Sequence, residues 1–140
     1  MSNPDSLLLD THIWINYLNA SPLLRPDLVR RIEAARSSGS VYVSVISVWE
    51  IAQLVRLNRL ALNTNVTDWV ENAFTLPGVQ LLPFTSQIAI ESVNLAGPIH
   101  KDPADRILVA SARVERLTLV TRDRDILIYA KATSLACLQA

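Results

Sequence analysis

Five short apolar runs, separated by stretches with helical spacing, set the tightest limit on what this chain can fold into. Leu7-Leu8-Leu9, Val41-Tyr42-Val43, Val79 to Pro83, Leu117 to Thr121 and a run near Leu135 to Leu138 read as strands. Between them, residues 11–19, 25–37, 44–57, 67–75, 86–95, 103–116 and 123–129 read as helices. In the second of these, Leu28, Ile32 and Ala35 recur at helical spacing and Gly39 supplies the stop. Strands alternating with helices imply an α/β fold: a three-layer sandwich around a central, mainly parallel five-stranded sheet. No repeat, linker or low-complexity tract interrupts the pattern, so residues 1–140 read as one domain.

Composition removes several function classes. Thirteen acidic and 13 basic side chains give a formal net charge of zero, which argues against a polyanion binder relying on bulk basicity. The single cysteine, Cys137, excludes an internal disulfide framework and a multi-cysteine zinc or iron–sulfur site. Met1 to Asp10 has no basic n-region, and three leucines are too few for a signal segment. The charge-free stretch Asn72 to Ile90 is broken by Pro77, Gly78 and Pro83, so it cannot span a membrane as a helix. A soluble, cytoplasmic protein is the expectation. Charged residues make up 19% of the chain, below the roughly 25% of average domains, so part of the surface is expected to lie under a partner or a second copy.

Chemistry enters with the acids. Glu50 is the only charged side chain between Ser37 and Val55, and with Ser47 and Gln53 it forms a narrow polar stripe on an apolar helix. A capping box from Ser47 to Glu50 is one explanation. Ser44 is the better cap, however, which puts Glu50 in the second turn, where a carboxylate walled by apolar neighbours needs a cation or strong donors. Asp10 follows the first strand, at the edge where α/β sheets bind ligands, and equally suits the cap of the next helix. In Asp102-Pro103-Ala104-Asp105, Asp102 suits the N-cap, Pro103 the first helical position, and Asp105 the first turn, where an acid complements the helix dipole. Asp123, two residues past a strand, can cap the last helix, and Asp125 reads as solvated.

Topology joins these acids. Asp10 and Asp123 follow strands, and Glu50 lies early in a helix leaving the same sheet edge. The helix containing Asp105 runs back across the sheet into the fourth strand, so its start also lies at the carboxyl edge. Four like charges cannot coexist there without cations, because mutual repulsion and desolvation would protonate some of them. Hard oxygen ligands with retained waters suit Mg²⁺ or Mn²⁺, ions that activate water and offset charge on a phosphodiester. Nothing in the spacing separates RNA from DNA.

These residues fall into four ordered motifs: Leu7-Leu8-Leu9-Asp10-Thr11-His12, Ser44-Val45-Ile46-Ser47-Val48-Trp49-Glu50-Ile51-Ala52, His100-Lys101-Asp102-Pro103-Ala104-Asp105-Arg106 and Leu119-Val120-Thr121-Arg122-Asp123. Together they resemble the PIN-domain ribonucleases, specifically the VapC toxins of type II toxin–antitoxin pairs, over nearly the whole chain. The resemblance implies a PIN-like sandwich and a Mg²⁺- or Mn²⁺-dependent endoribonuclease that cleaves RNA by a metal-activated water. It also implies a homodimer inhibited by a VapB-like antitoxin. The family's acidic quartet carries over to Asp10, Glu50, Asp105 and Asp123, with Asp10 and Asp105 as direct metal ligands and Thr121 as a supporting hydroxyl. Asp102, as the cap, supports the same turn. Two departures stand out: Ala104 occupies a position where such proteins often carry Phe, and Gln53 and Asn58-Arg59-Leu60 replace a Lys and a Gly-Lys-Leu. Both bear on packing or substrate contacts rather than on the quartet.

Other candidates are weaker. His12 and His100 would suit a metal-free two-histidine ribonuclease, but their spacing carries no constraint. Cys137 sits in an apolar tail without a nearby His and reads as a core thiol. Trp14, Trp49 and Trp69 read as core or interface residues. Arginine supplies every basic residue except Lys101 and Lys131, which suits bidentate phosphate contacts, although Arg106, Arg113, Arg116, Arg122 and Arg124 equally suit a solvated face. Two further classes compete: a non-catalytic PIN scaffold for RNA or protein, and a phosphotransfer domain with Asp10 as nucleophile. The second lacks the adjacent acid such sites need. The stretch from Ile13 to Leu24 and the helix from Val45 to Leu57 carry more apolar side chains than one small core absorbs, which again points to a homodimer and an antitoxin groove.

Overall fold

The computed structural model describes residues 6–97, 99 and 102–140. Its strands are β1 (Leu7–Leu9), β2 (Val41–Ser44), β3 (Val79–Leu82), β4 (Thr118–Thr121) and β5 (Cys137–Gln139). Its helices are α1 (Thr11–Leu18), α2 (Pro26–Ser37), α3 (Val45–Arg56), α4 (Val66–Ala73), α5 (Ser86–Val93), α6 (Pro103–Glu115) and α7 (Arg124–Ala132). The strands form one sheet in the order β3-β2-β1-β4-β5, and every described pairing is parallel.

Strand β1 explains the layering. Its three leucines are fully buried, yet they face opposite ways because side chains alternate along a strand. Leu7 and Leu9 join one apolar cluster with Ile13, Trp14, Leu28, Ile32 and Ile51. Leu8 joins the other with Leu108, Val109, Ala112, Ile126 and Tyr129. A strand covered on both faces has no solvent side to make polar, hence the unbroken apolar run. Trp14 anchors the first cluster, with its ring edge-on to Trp69 at 5.2 Å between centroids.

The helix boundaries follow their caps. Asp10, Ser44, Asn65, Thr85, Asp102 and Asp123 each accept a backbone N–H at the start of a helix. Asp102 and Ser44 therefore hold the capping places expected of them. Gly78 has φ of +86°, and a Cβ there would overlap the Arg36 carbonyl, so the turn into β3 requires glycine.

Two expectations shift. The last strand starts at Cys137 rather than Leu135, because Leu135 is spent in the second core and pairing with β4 begins where Leu119 N–H donates to the Ala136 carbonyl. Helix α7 runs on to Ala132, past the expected end at Tyr129, whose ring packs in that core. Helix α6 leads into β4 and so runs antiparallel to the strands, which puts its start at the sheet's carboxyl edge. Among the described residues, no helix is long and apolar enough to cross a membrane.

Candidate active site

The sheet order makes β1 the middle strand, flanked by β2 and β4. Leu9 pairs in register with Val120, so the next residues, Asp10 and Thr121, stand side by side at the carboxyl edge. Asp10 is held there through its backbone, its N–H donating to the Val120 carbonyl at 3.0 Å and its carbonyl accepting from Trp14 N–H at 2.9 Å. Both carboxylate oxygens are engaged as well. Oδ1 accepts from Thr11 N–H at 2.7 Å, and Oδ2 accepts from Thr121 Oγ1 at 2.6 Å.

Thr121 reaches further. Its hydroxyl accepts from Asp123 N–H at 3.0 Å, while Asp123 Oδ1 accepts from Ile126 N–H at 3.1 Å and starts α7. Asp10 and Asp123 are thus joined through one buried hydroxyl. On the other side, Thr11 Oγ1 lies 2.6 Å from Glu50 Oε1 and 2.8 Å from Ser47 Oγ. Asp10 and Glu50 are therefore joined through Thr11.

The electrostatics agree with that proximity. Burial holds the Asp10 carboxyl above the usual carboxylate range. Its bonds from Thr121 and Thr11 and the nearby His12 pull the other way, and the charge of Asp123 adds to the rise. Burial also raises Glu50, opposed by the Thr11 hydroxyl and reinforced by the charges of Asp10 and Asp102. Asp10 thus feels Asp123, and Glu50 feels Asp10 and Asp102.

Asp105 lies in the first turn of α6 and is as buried as Asp10, each 9% exposed. Asp102 is exposed, and its Oδ1 accepts from Ala104 N–H at 2.9 Å, which fixes where that turn begins. Among the described residues, no three of His, Cys, Asp and Glu are grouped closely enough to form a metal shell by themselves. Magnesium commonly keeps several waters and takes only one or two carboxylates, so a pair such as Asp10 and Glu50 matches its habit.

The remaining candidates separate clearly. The guanidinium of Arg106 donates to the carbonyls of Ser92 and Val93, at 3.0 and 3.3 Å, and so closes the end of α5 instead of standing ready for phosphate. Cys137 is half-buried, and burial pushes its thiol up to about 11, with the charge of Asp10 adding to the effect, which suits an inert thiol. Trp14 is core, whereas Trp49 is 58% exposed beside Glu50. His12 is exposed next to the acids, and His100 lies outside the described residues. The first core absorbs Ile13, Trp14, Ile15, Leu24 and Ile51, more of the apolar surplus than expected. From the expected stretches Leu23, Trp49 and Leu57 remain exposed, and Leu81, Phe84, Ile90, Val93 and Ile128 are exposed outside them.

Sequence reasoning gave Thr11 no role and weighed Ser47 only as a capping-box partner or part of a polar stripe. The available signals were the hydroxyl directly after Asp10 and another one helical turn before Glu50.

The sequence profile of the PIN domain matches residues 7–132. The chain is 29% identical over 119 residues to Ribonuclease VapC22 of Mycobacterium tuberculosis (strain ATCC 25618 / H37Rv), covering 85% of this chain and 88% of that protein. Its fold is similar to that of VapBC2 from Rickettsia felis, solved bound to a DNA fragment from their promoter. That comparison has a TM-score of 0.68 and 17% identity, and covers 95% of this chain and 97% of that one. FitAcB from Neisseria gonorrhoeae gives a TM-score of 0.65 at 24% identity, over 94% of this chain and 96% of that one. DNA-bound VapBC from Salmonella typhimurium gives 0.65 at 17%, over 96% and 97%. At these identities the likeness to the solved structures is one of fold. The matched segment contains Asp10, Glu50, Asp105 and Asp123, and on that match the chain belongs to the PIN-domain family.

Proposed function

We propose that this chain is a metal-dependent endoribonuclease and the toxin of a type II toxin–antitoxin pair, with Asp10, Glu50, Asp105 and Asp123 as its acidic quartet. The observation that carries this reading is the Asp10 carboxylate. It is buried at the end of the middle strand, bonded to Thr121 and Thr11, and within electrostatic reach of Glu50 and Asp123. Withdrawing such a group from water is costly, and an apolar residue would serve a purely structural core better. Ribonuclease activity in a relative of similar length supports RNA as the substrate, and the toxin–antitoxin complexes among the fold relatives support a VapB-like antitoxin as partner.

Asp10 and Asp105 would hold Mg²⁺ or Mn²⁺ directly, with Glu50 and Asp123 beside them; the donors are all hard oxygens. When bound, such an ion offsets charge on the phosphodiester and lowers the pKa of a water. The chain's own groups do the rest. Thr121 holds Asp10 Oδ2, and Asp102 sets the start of α6 and with it the place of Asp105. Thr11 Oγ1, 2.6 Å from Glu50 Oε1, holds Glu50 beside Asp10. A second copy in a homodimer would cover exposed apolar side chains such as Leu81 of β3 and Ile90 and Val93 of α5. The proposed place of action is the cytoplasm.

Incubating the purified chain with labelled single-stranded RNA, and with DNA of the same sequence, tests the reading. Internal cuts in RNA that require Mg²⁺ or Mn²⁺ are expected. RNA binding without cleavage would indicate a scaffold, and phosphate transfer to the protein would indicate a phosphotransfer domain. Light scattering at tens of micromolar should report a dimer.

A further inference from the structure

Thr11 touches both carboxylates through two different atoms. Its backbone N–H donates to Asp10 Oδ1 at 2.7 Å, and its hydroxyl lies 2.6 Å from Glu50 Oε1, 39 residues away. A hydroxyl has a single proton to give. When it donates that proton to Glu50, Thr11 Oγ1 must accept from its other neighbour, Ser47 Oγ, at 2.8 Å. Thr11 is 1% exposed and Ser47 is fully buried, so water cannot take the place of either. The arrangement crosses between helices: Thr11 opens α1, while Ser47 and Glu50 lie one turn apart on α3. These two helices pack against each other.

We propose that Thr11 is a positioning residue for the acidic site, its amide fixing Asp10 while its hydroxyl, backed by Ser47, fixes Glu50. The inference rests on the proposed reading of Asp10 as a direct metal ligand and of Glu50 as the acid that stands beside it. Because Asp10 and Thr11 are consecutive, the angle between the two carboxylates is set by the first turn of α1 and the packing of α3 on it. A side chain that merely filled space would need the methyl of Thr11 but not its hydroxyl. Valine keeps the shape and loses the hydroxyl; serine does the reverse.

The test compares the full-length parent with Thr11→Val and Thr11→Ser. Two readouts are taken: kcat and KM for RNA cleavage, and the Mn²⁺ concentration at half-maximal rise in melting temperature without RNA. Thr11→Val is expected to lower kcat by roughly 10–100-fold, the range typical for groups that orient metal ligands. KM for RNA should stay within about twofold, because a buried hydroxyl does not touch substrate, and the Mn²⁺ midpoint should rise in parallel. Thr11→Ser should restore both to within a few-fold of the parent. Parent-like kcat and Mn²⁺ midpoint in Thr11→Val would overturn the proposal, as would equal losses in Thr11→Val and Thr11→Ser, which would assign the effect to packing. If Thr11→Val fails to fold, Ser47→Ala takes its place, with a smaller rise in the Mn²⁺ midpoint expected and an unchanged one contrary. If the parent cleaves no RNA yet binds Mn²⁺, the functional reading fails while the Mn²⁺ titration still decides the role of Thr11.

Discussion

Thr121 and Asp10 are 111 residues apart in sequence, yet the hydroxyl of one donates a 2.6 Å bond to the carboxylate of the other. Parallel pairing of β1 and β4 in the register Leu9 to Val120 brings them level. Because the same hydroxyl accepts from Asp123 N–H, one threonine links two of the four acids. Thr121→Val should therefore leave the strands in place and disturb the acids. Cleavage should fall roughly 10–100-fold. Thr121→Ser should stay near the parent, as kinetics on both folded variants would report.

Asp102 and Asp105 share a turn, and the proposed function gives them different jobs. Asp102 is exposed and caps α6, so Asp102→Ala should cost about 1 kcal/mol of stability in denaturant unfolding and keep most activity once folded. Loss of all activity at unchanged stability would move Asp102 into the metal-holding set.

The pH dependence has a definite sign. Asp10 and Glu50 have proton affinities raised above their ordinary values of 3.8 and 4.5, chiefly by burial. A folded state that binds protons more tightly than the unfolded chain loses stability as pH rises through that window. Their contribution is thus favourable below the ordinary carboxylate range and lost on passing upward through the raised folded values. Removing the charges with Asp10→Asn and Glu50→Gln should flatten this loss relative to the parent in metal-free melts. Stabilisation by Mn²⁺ should grow over the same window, since only the ionised carboxylates bind it.

Much of this architecture is legible in the chain itself. Leu7-Leu8-Leu9 announces a strand covered on both faces, and Ser44, Asp102 and Asp123 mark helix starts because a short polar side chain before an apolar period has few other local uses. The convergence of acids at one sheet edge also follows from alternation alone. Beyond Thr121, what sequence could not supply is the web of hydroxyls. Whether Thr11 faces Glu50 or water depends on how α1 packs on α3, a contact between residues 39 apart that no local pattern encodes. Arg106 is a similar case. It looks like a phosphate ligand beside Asp105, but the packing of α5 on α6 offers it two carbonyls first. The start of β5 differs from its sequence expectation for the same reason, since Leu135 is drawn into the second core.

The central claim is that the buried carboxylates at the carboxyl edge hold a divalent ion that RNA cleavage requires. Asp10→Asn and Asp105→Asn test it most directly, each assayed for RNA cleavage and for its melting temperature with and without Mn²⁺. The account predicts a parent that cleaves and is stabilised by Mn²⁺, beside two folded variants that do neither. A fully active Asp105→Asn protein, or parent cleavage that persists after complete chelation, would contradict it.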